Sequence, residues 1–460
     1  MQLRKFLAAK SDWLVLGILL AVFAALKIAV LAPHFADGWI YFYFGKLVAA
    51  GELPYRDFFY SSPPLIPYFM GFLHLLFGFK ISLANFLPTI FSLADAILIF
   101  VLLRAKSVPV AWLAAGAYLF SFLNFATTDY FSEAHLLTTL VLLGLTFFER
   151  RKFFWAGIFF GLAGLTKLYG ILPAVFLPIL IFREPKNLGK FLAGILLAFG
   201  LPNLIFLGII GREYLDLIFF NHLKKFPGID KLSVFKFFIQ KDFLLLLVLP
   251  LLAFTKNWRK ILAPTLALGA LVLFLIFFND VYYLYLKSFL ALLVLVLGFL
   301  AAQKFTDSPK SQIVALALIF VCTNISFAIT NYLGSQSAKA RIENPLAIVA
   351  EVQKSDRPLF GDFEIAPLVA LLSGKNIFQN YVDTNSKWTD LGIFSPEKVA
   401  AEIHSAGGAT VLTKSFVDQN IHGLEKLLPE KYFAENCQLE KTFPLANDYE
   451  DNAILVWSCS

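Results

Sequence analysis

Three sets of ionisable residues stand where apolar runs of the chain give way to polar loops. The first is Asp37, in Ala36-Asp-Gly-Trp-Ile-Tyr. Arg56 and Asp57 follow it in Gly51-Glu-Leu-Pro-Tyr-Arg-Asp-Phe-Phe-Tyr-Ser-Ser-Pro-Pro-Leu65. A carboxylate held where lipid meets water is suited to take a proton from an acceptor hydroxyl; the bland alternative for Asp37 is an N-cap for a helix over 39–50, worth about 1 kcal/mol. The planar fork of Arg56 suits a phosphate, although an adjacent Arg-Asp pair is more often structural. Tyr55 and Tyr60 read as aromatics of the membrane–water boundary. The second set is Thr127-Thr-Asp-Tyr-Phe-Ser-Glu-Ala-His135, which offers Asp129, Glu133 and His135 at the head of an apolar run, where ionisable groups are costly unless used. Asp37, Asp129 and Glu133 supply the oxygen ligands a divalent cation prefers, but no metal-ligand spacing accompanies them, so a cation stays an open alternative and no cofactor is required. The third is Lys167, in Gly164-Leu-Thr-Lys-Leu-Tyr-Gly170, a cation placed to neutralise a leaving phosphate or to snorkel to the surface.

The elements that position these residues are apolar helices. Apolar residues make up 58% of the 460, with 52 Phe, and charged residues only 15%; a soluble domain carries nearer a quarter charged, so the chain reads as a polytopic membrane protein. Its net charge of +7 sits in short loops and acts as a topology signal, and no continuous basic face suits a nucleic acid. On a ruler of about 20 residues per crossing, spans fall at 13–32, 81–103, 108–124, 134–148, 153–166, 168–182, 190–210, 242–255, 260–278, 281–300 and 311–330. The first has a basic flank and no cleavage site, so it reads as an anchor and not a removed signal. The apolar stretch 64–78 follows Pro63-Pro64, is too short to cross, and reads as a juxtamembrane helix of the first outer loop. With the N-terminus inside, Arg and Lys concentrate in the cytoplasmic loops. The outside segment 211–241 is the exception, carrying Arg212, Lys224, Lys225, Lys231, Lys236 and Lys241, which reads either as contact with lipid phosphate or as a merely solvated loop. Asp95, inside the second span, reads as satisfied by a neighbouring helix.

An odd number of spans places the tail outside. There Pro358–Phe363, Ala409–Thr413 and Asn452–Trp457 read as strands, and Ser395-Pro396-Glu397 opens a helix. The fold class is therefore an all-α polytopic membrane domain of about 11 transmembrane helices over 1–332, followed by a small extracytoplasmic α/β domain over 333–460. Of three cysteines, Cys322 falls in a span, while Cys437 and Cys459 share the tail and can pair if it is extracytoplasmic.

Several of these pieces together resemble the C-type fold of membrane glycosyltransferases, in the branch of protein O-mannosyltransferases and lipid A aminoarabinose transferases. The resemblance rests on Asp37 after the first span, Gly51-Glu-Leu-Pro-Tyr-Arg-Asp-Phe58, Pro63-Pro-Leu65, Glu133 opening the fourth span, Gly161-Leu-Ala-Gly-Leu-Thr-Lys167, and Val281-Tyr-Tyr-Leu284 before a Leu-rich helix. It implies a plasma-membrane, multi-pass enzyme that takes a sugar from a polyprenyl- or dolichyl-phosphate and moves it, with inversion, to a protein, glycan or lipid acceptor outside. Asp37 would be the base, Arg56 and Lys167 phosphate contacts, and Asp57, Asp129, Glu133 and His135 the supporting acceptor side. The chain has Gly38 where many relatives continue Asp-Glu, and Ser62 where many carry Lys before Pro-Pro-Leu. The rival reading is a transporter or flippase for a lipid-linked or polar solute, for which Asp95 and Lys27 would be the ionisable groups within spans; an inactive scaffold whose tail binds a partner is a third.

Overall fold

The computed structural model describes residues 2–30, 35–225, 229–242, 261–304, 345–415, 424–444 and 453–460. It is mostly helical, with one four-stranded sheet, and packs as two compact units. The first comprises Met1–Leu31, Asn85–Phe206 and Pro227–Gly334; the second comprises Ala32–Ala84, Leu207–Phe226 and Ser335–Ser460.

In the first unit, α1 (Gln2–Val30) turns Leu16, Phe23 and Lys27 inward at spacings of seven and four, while Trp13, Leu14, Ile18, Val22 and Ile28 are exposed. One stripe of this helix packs and the rest is suited to lipid. In the second unit, α2 (Gly38–Ala49) and α3 (Leu65–Phe77) pack on each other, and α3 leaves Phe72, Leu75, Leu76 and Phe77 exposed, as a juxtamembrane helix does. Helix α4 (Ile81–Arg104) begins in the second unit and runs on through the first. Then come α5 (Val108–Leu119), α6 (Phe122–Thr127), α7 (Glu133–Glu149) and α8 (Phe153–Thr166). Helix α8 lies so close to α10 (Pro185–Ile195) that a Cβ on Gly157 would stand 2.1 Å from the Phe191 carbonyl oxygen, and one on Gly194 2.2 Å from that of Phe154. Small residues permit this approach, and dispersion rewards it where lipid removes the hydrophobic drive.

Among the described residues, four helical stretches are long and apolar enough to cross a membrane: Asp12–Ala29, Ile81–Arg104, Pro185–Ile210 and Tyr283–Gln303. Helix α7 and the stretch 153–166 form where expected, though shorter than a full crossing. Two expected spans take another form. Residues 108–124 break after Leu119, because Ser121 leaves the helical conformation and its hydroxyl caps α6 by accepting from the Asn124 amide. Residues 168–182 begin as a 3-10 helix, Leu168–Ala174, and end in the four-residue α9 (Pro178–Ile181), since Pro173 and Pro178 lack the amides a continuous helix would use. The expected spans 242–255 and 311–330 and Cys322 lie outside the described residues, apart from Asp242 itself.

Beyond α10 a π turn joins α11 (Leu201–Ile210), followed by α12 (Arg212–Leu215), α13 (Asn221–Lys224) and α14 (Lys231–Lys241). The apolar helices α15 (Leu262–Phe277) and α16 (Leu286–Lys304) belong to the first unit. Most of α16 is buried, as expected of a helix apolar all round.

The second unit holds the sheet, with β1 (Leu359–Gly361), β2 (Ala409–Ser415), β3 (Cys437–Pro444) and β4 (Ala453–Cys459) in the order β1-β2-β4-β3. The β1–β2 pair is parallel and the others antiparallel. The three strands read from sequence are present; β3 was not foreseen, since its alternation is largely solvent-exposed. Ser395 caps the helix Pro396–Ser405 through the Lys398 amide, as its sequence requires. Cys437 and Cys459, partners in the β3–β4 register, form a disulfide.

The first-loop segment belongs to this same unit and packs on the tail. The Tyr43 hydroxyl accepts from the Ile377 amide at 2.7 Å, and Asn380 donates to Glu52 Oε2 at 2.6 Å. Phe59 sets its ring 5.0 Å from those of Trp388 and Phe394.

Candidate active site

In the first unit the ends of several apolar helices assemble an ion pair inside an aromatic frame. Glu133 is the first residue of α7, and Ser132 ahead of it is extended at the N-cap, so the carboxylate projects from a helix N-terminus that favours negative charge. Lys167 is the residue at which α8 stops. Its backbone is extended, and Gly170 turns so tightly against α8 that a Cβ there would meet the Ala163 carbonyl. The two side chains meet at 2.5 Å, Nζ to Oε2, with Glu133 only 3% exposed and Lys167 22%. The Lys167 ammonium also lies 5.1 Å from the centre of the Tyr285 ring. Tyr285 packs edge-on to Tyr169, which stacks on Phe274 at 4.9 Å. A buried carboxylate thus pairs with a cation whose side chain keeps part of its surface exposed.

The neighbouring acid has a different occupation. Asp129 accepts from Lys27 at 2.6 Å, and Lys27 also donates to the Phe125 carbonyl at 3.0 Å; both residues are buried. His135 is completely buried, and its Nδ1 accepts from the Ser132 amide at 3.1 Å. The same nitrogen lies 3.1 Å from the Ser132 hydroxyl and carbonyl oxygens. Deeper in the bundle Asp95 accepts from Tyr118 at 2.6 Å and from Thr139 at 2.5 Å, as expected of a carboxylate satisfied by neighbouring helices. Lys287, which sequence reasoning did not single out, donates to Ser92 and Asn124.

The second unit holds the rest of the residues in question. Asp37 is half-buried at the N-cap of α2, yet its side chain makes no capping hydrogen bond, so the cap reading does not describe it. Arg56 and Asp57 form a two-pronged ion pair, Nε to Oδ1 at 2.8 Å and Nη2 to Oδ2 at 2.7 Å, and Asp57 also accepts from the Leu53 amide at 2.7 Å. Those two donors, Arg56 foremost, hold the Asp57 carboxyl down at about 2. The pair closes the loop 53–58, which is a structural task, and it leaves the Arg56 side chain 60% exposed. Tyr55 and Tyr60 are not boundary aromatics: both are buried, Tyr55 edge-on to Tyr214 and Tyr60 to Phe44.

Glu133 is thus brought to Lys167, Asp129 to Lys27, and Arg56 to Asp57. Among the described residues no three His, Cys, Asp or Glu side chains gather as a ligand set for a cation. Sequence reasoning missed Tyr169, Tyr285 and Lys287; the Tyr-rich run 282–285 ahead of α16 was the available signal for Tyr285.

The fold is shared with a protein of solved structure. ArnT from Cupriavidus metallidurans in the apo state superposes with a TM-score of 0.63 at 13% identity, covering 97% of this chain and 98% of that one. The same protein bound to undecaprenyl phosphate gives 0.62 at 12% identity, covering 95% and 97%. By sequence, residues 61–206 match the family model described as dolichyl-phosphate-mannose-protein mannosyltransferase. No curated protein sequence matches the chain. These are the two branches that the motifs resemble.

Proposed function

We propose that this chain is an integral, multi-pass membrane glycosyltransferase that takes its sugar from a polyprenyl- or dolichyl-phosphate carrier. The observation that carries the reading is the Glu133–Lys167 pair, a cation held at apolar helix ends by a buried carboxylate, on a fold shared with a protein solved with undecaprenyl phosphate. The family match over 61–206, which includes both residues, supports it.

In this reading the acceptor hydroxyl oxygen attacks the anomeric carbon of the donor sugar from the face opposite the phosphate. The C1–O bond to phosphate breaks, its electron pair leaves with the polyprenyl phosphate, and the configuration inverts. Asp37 takes the acceptor proton. Lys167 offsets the charge that grows on the phosphate, and Arg56 is a candidate phosphate contact by the resemblance alone. Glu133 acts through Lys167 by fixing its position. The acceptor, whether protein, glycan or lipid, comes from the outer side, where residues 333–460 also stand. The Cys437–Cys459 bond supports that placement, because disulfides persist outside the reducing cytosol.

The test supplies purified full-length protein in nanodiscs with a polyprenyl phosphate carrying a radiolabelled sugar and a panel of acceptors. Transfer of label with release of polyprenyl phosphate supports the reading; movement of the carrier across a vesicle membrane with no transfer would replace it with the transporter.

A further inference from the structure

Helix α14 carries three strips, and Phe237, 40% exposed, lies beyond the polar one, edge-on to Phe122 of α6. Val234 and Phe238 point inward and are buried, with Phe238 edge-on to Phe289 of α16 at 5.7 Å. Leu232, Phe235 and Ile239, spaced i, i+3 and i+7, form a second strip, with Leu232 76% exposed and Ile239 51%. Ser233, Lys236 and Gln240 repeat the same spacing as a third, polar strip on the solvent side. An apolar strip beside a polar strip, both outside the packed face, is the pattern of a helix lying along a bilayer surface.

The depth of the helix is fixed by its contacts. Lys231 donates to the carbonyl of Ile276 at 2.9 Å, in the last turn of the apolar α15, whose Leu273, Ile276 and Phe277 are exposed. Phe289, against which Phe238 packs, lies one helical turn along α16 from Tyr285, the ring beside Lys167. Helix α14 thus runs near the level of the Glu133–Lys167 pair, where apolar helices end. At its C-terminus, Asp242 accepts from the Phe122 and Leu123 amides of α6 at 2.7 and 3.0 Å, which locks the helix to the segment leading to Asp129 and Glu133.

Charge decides what this surface faces. Between 231 and 241 there are three lysines and no acid. The flanking acids are engaged, Asp230 with the Leu232 and Ser233 amides and Asp242 with α6. We propose that α14 seats on anionic phospholipid headgroups, with Lys236 meeting phosphate while Leu232, Phe235 and Ile239 enter the acyl boundary. This surface is separate from the donor site and does not require glycosyl transfer.

The test uses full-length protein with Cys322→Ser and Leu232→Cys, labelled at position 232 with an environment-sensitive fluorophore, in nanodiscs that mix neutral and anionic lipid. Brominated lipid quenches the label, and the bromine is carried either by phosphatidylglycerol or by phosphatidylcholine at equal fraction. Stronger quenching by the anionic lipid, reduced about fivefold or more by Lys236→Glu and weakened by salt in the chain that keeps Lys236, supports the proposal. Equal quenching by both lipids would overturn the charge selection, and no quenching by either would overturn the surface placement. Loss of the preference on adding free polyprenyl phosphate would show that Lys236 serves the donor lipid, and would also overturn it. Salt dependence alone decides the matter if the charge-reversed protein does not fold.

Discussion

Glu133 Oε2 lies 2.5 Å from Lys167 Nζ, joining the first residue of one apolar helix to the residue at which the next one stops. The Glu133 side chain is almost fully enclosed, while that of Lys167 keeps 22% of its surface exposed. Such a pair contributes little net stability, and its removal in halves is costly because the remaining charge is stranded.

Lys167→Gln is therefore expected to lower kcat/KM for the lipid-linked donor about 100-fold, the loss seen when a preorganised group facing developing charge is removed. Glu133→Gln, which keeps the shape but strands the Lys167 charge, is expected to cost about tenfold in kcat/KM and to lower the unfolding temperature as well. Steady-state kinetics with varied donor check both. Unchanged kinetics in Lys167→Gln would remove this residue from the phosphate site.

In the tail, Lys414 reaches Asp362 Oδ1 at 3.4 Å and also contacts Glu364. Burial of Lys414 works against its charge, but Asp362 and Glu364 outweigh it and raise its pKa; burial raises that of Asp362. The stability from Lys414 is present below its usual value near 10.4 and is lost as pH rises through the higher folded one. Lys414→Met is expected to destabilise by about 3–5 kcal/mol at neutral pH. Because Asp362 then stands buried with a raised pKa, the loss should shrink as pH falls from that folded value toward its unfolded value of about 3.9. Thermal unfolding of the full-length variant across this range measures it; a loss independent of pH contradicts the assignment.

Cys437 and Cys459 close a loop with a sequence separation of 22. Opening it with reductant, or by Cys459→Ser, should cost about 2–4 kcal/mol, read as a lowered unfolding temperature. In intact cells both thiols should resist a membrane-impermeant maleimide until reductant is added outside. Labelling without reductant, or only after the membrane is permeabilised, contradicts an oxidised tail on the outer side.

Where a residue's role followed from its place along an apolar run, the sequence was legible. Asp95 was read as satisfied by a neighbour because a charge inside a span must be, and Tyr118 and Thr139 do that. The strands at 359, 409 and 453 and the cap at Ser395 carried local signals strong enough to survive packing. Pairing was not legible, since it depends on contacts between residues far apart in sequence. Asp129 and Glu133 looked equivalent, yet one takes Lys27 and the other Lys167. Hydropathy also counted 168–182 as a crossing, because an apolar average does not register that Pro173 and Pro178 withdraw helix donors. Tyr55 and Tyr60 were misplaced for a similar reason: an aromatic beside a polar loop fits a boundary and a packed interior equally well until its neighbours are known.

The most direct test of the central claim is transfer by Asp37→Asn. This change keeps the size and shape of the side chain and removes its charge, so the protein should fold and still bind polyprenyl phosphate. With radiolabelled polyprenyl-phosphate sugar and acceptor, the account predicts a fall in the transfer rate of at least about 100-fold with donor affinity retained. Transfer at the unsubstituted rate would contradict Asp37 as the base.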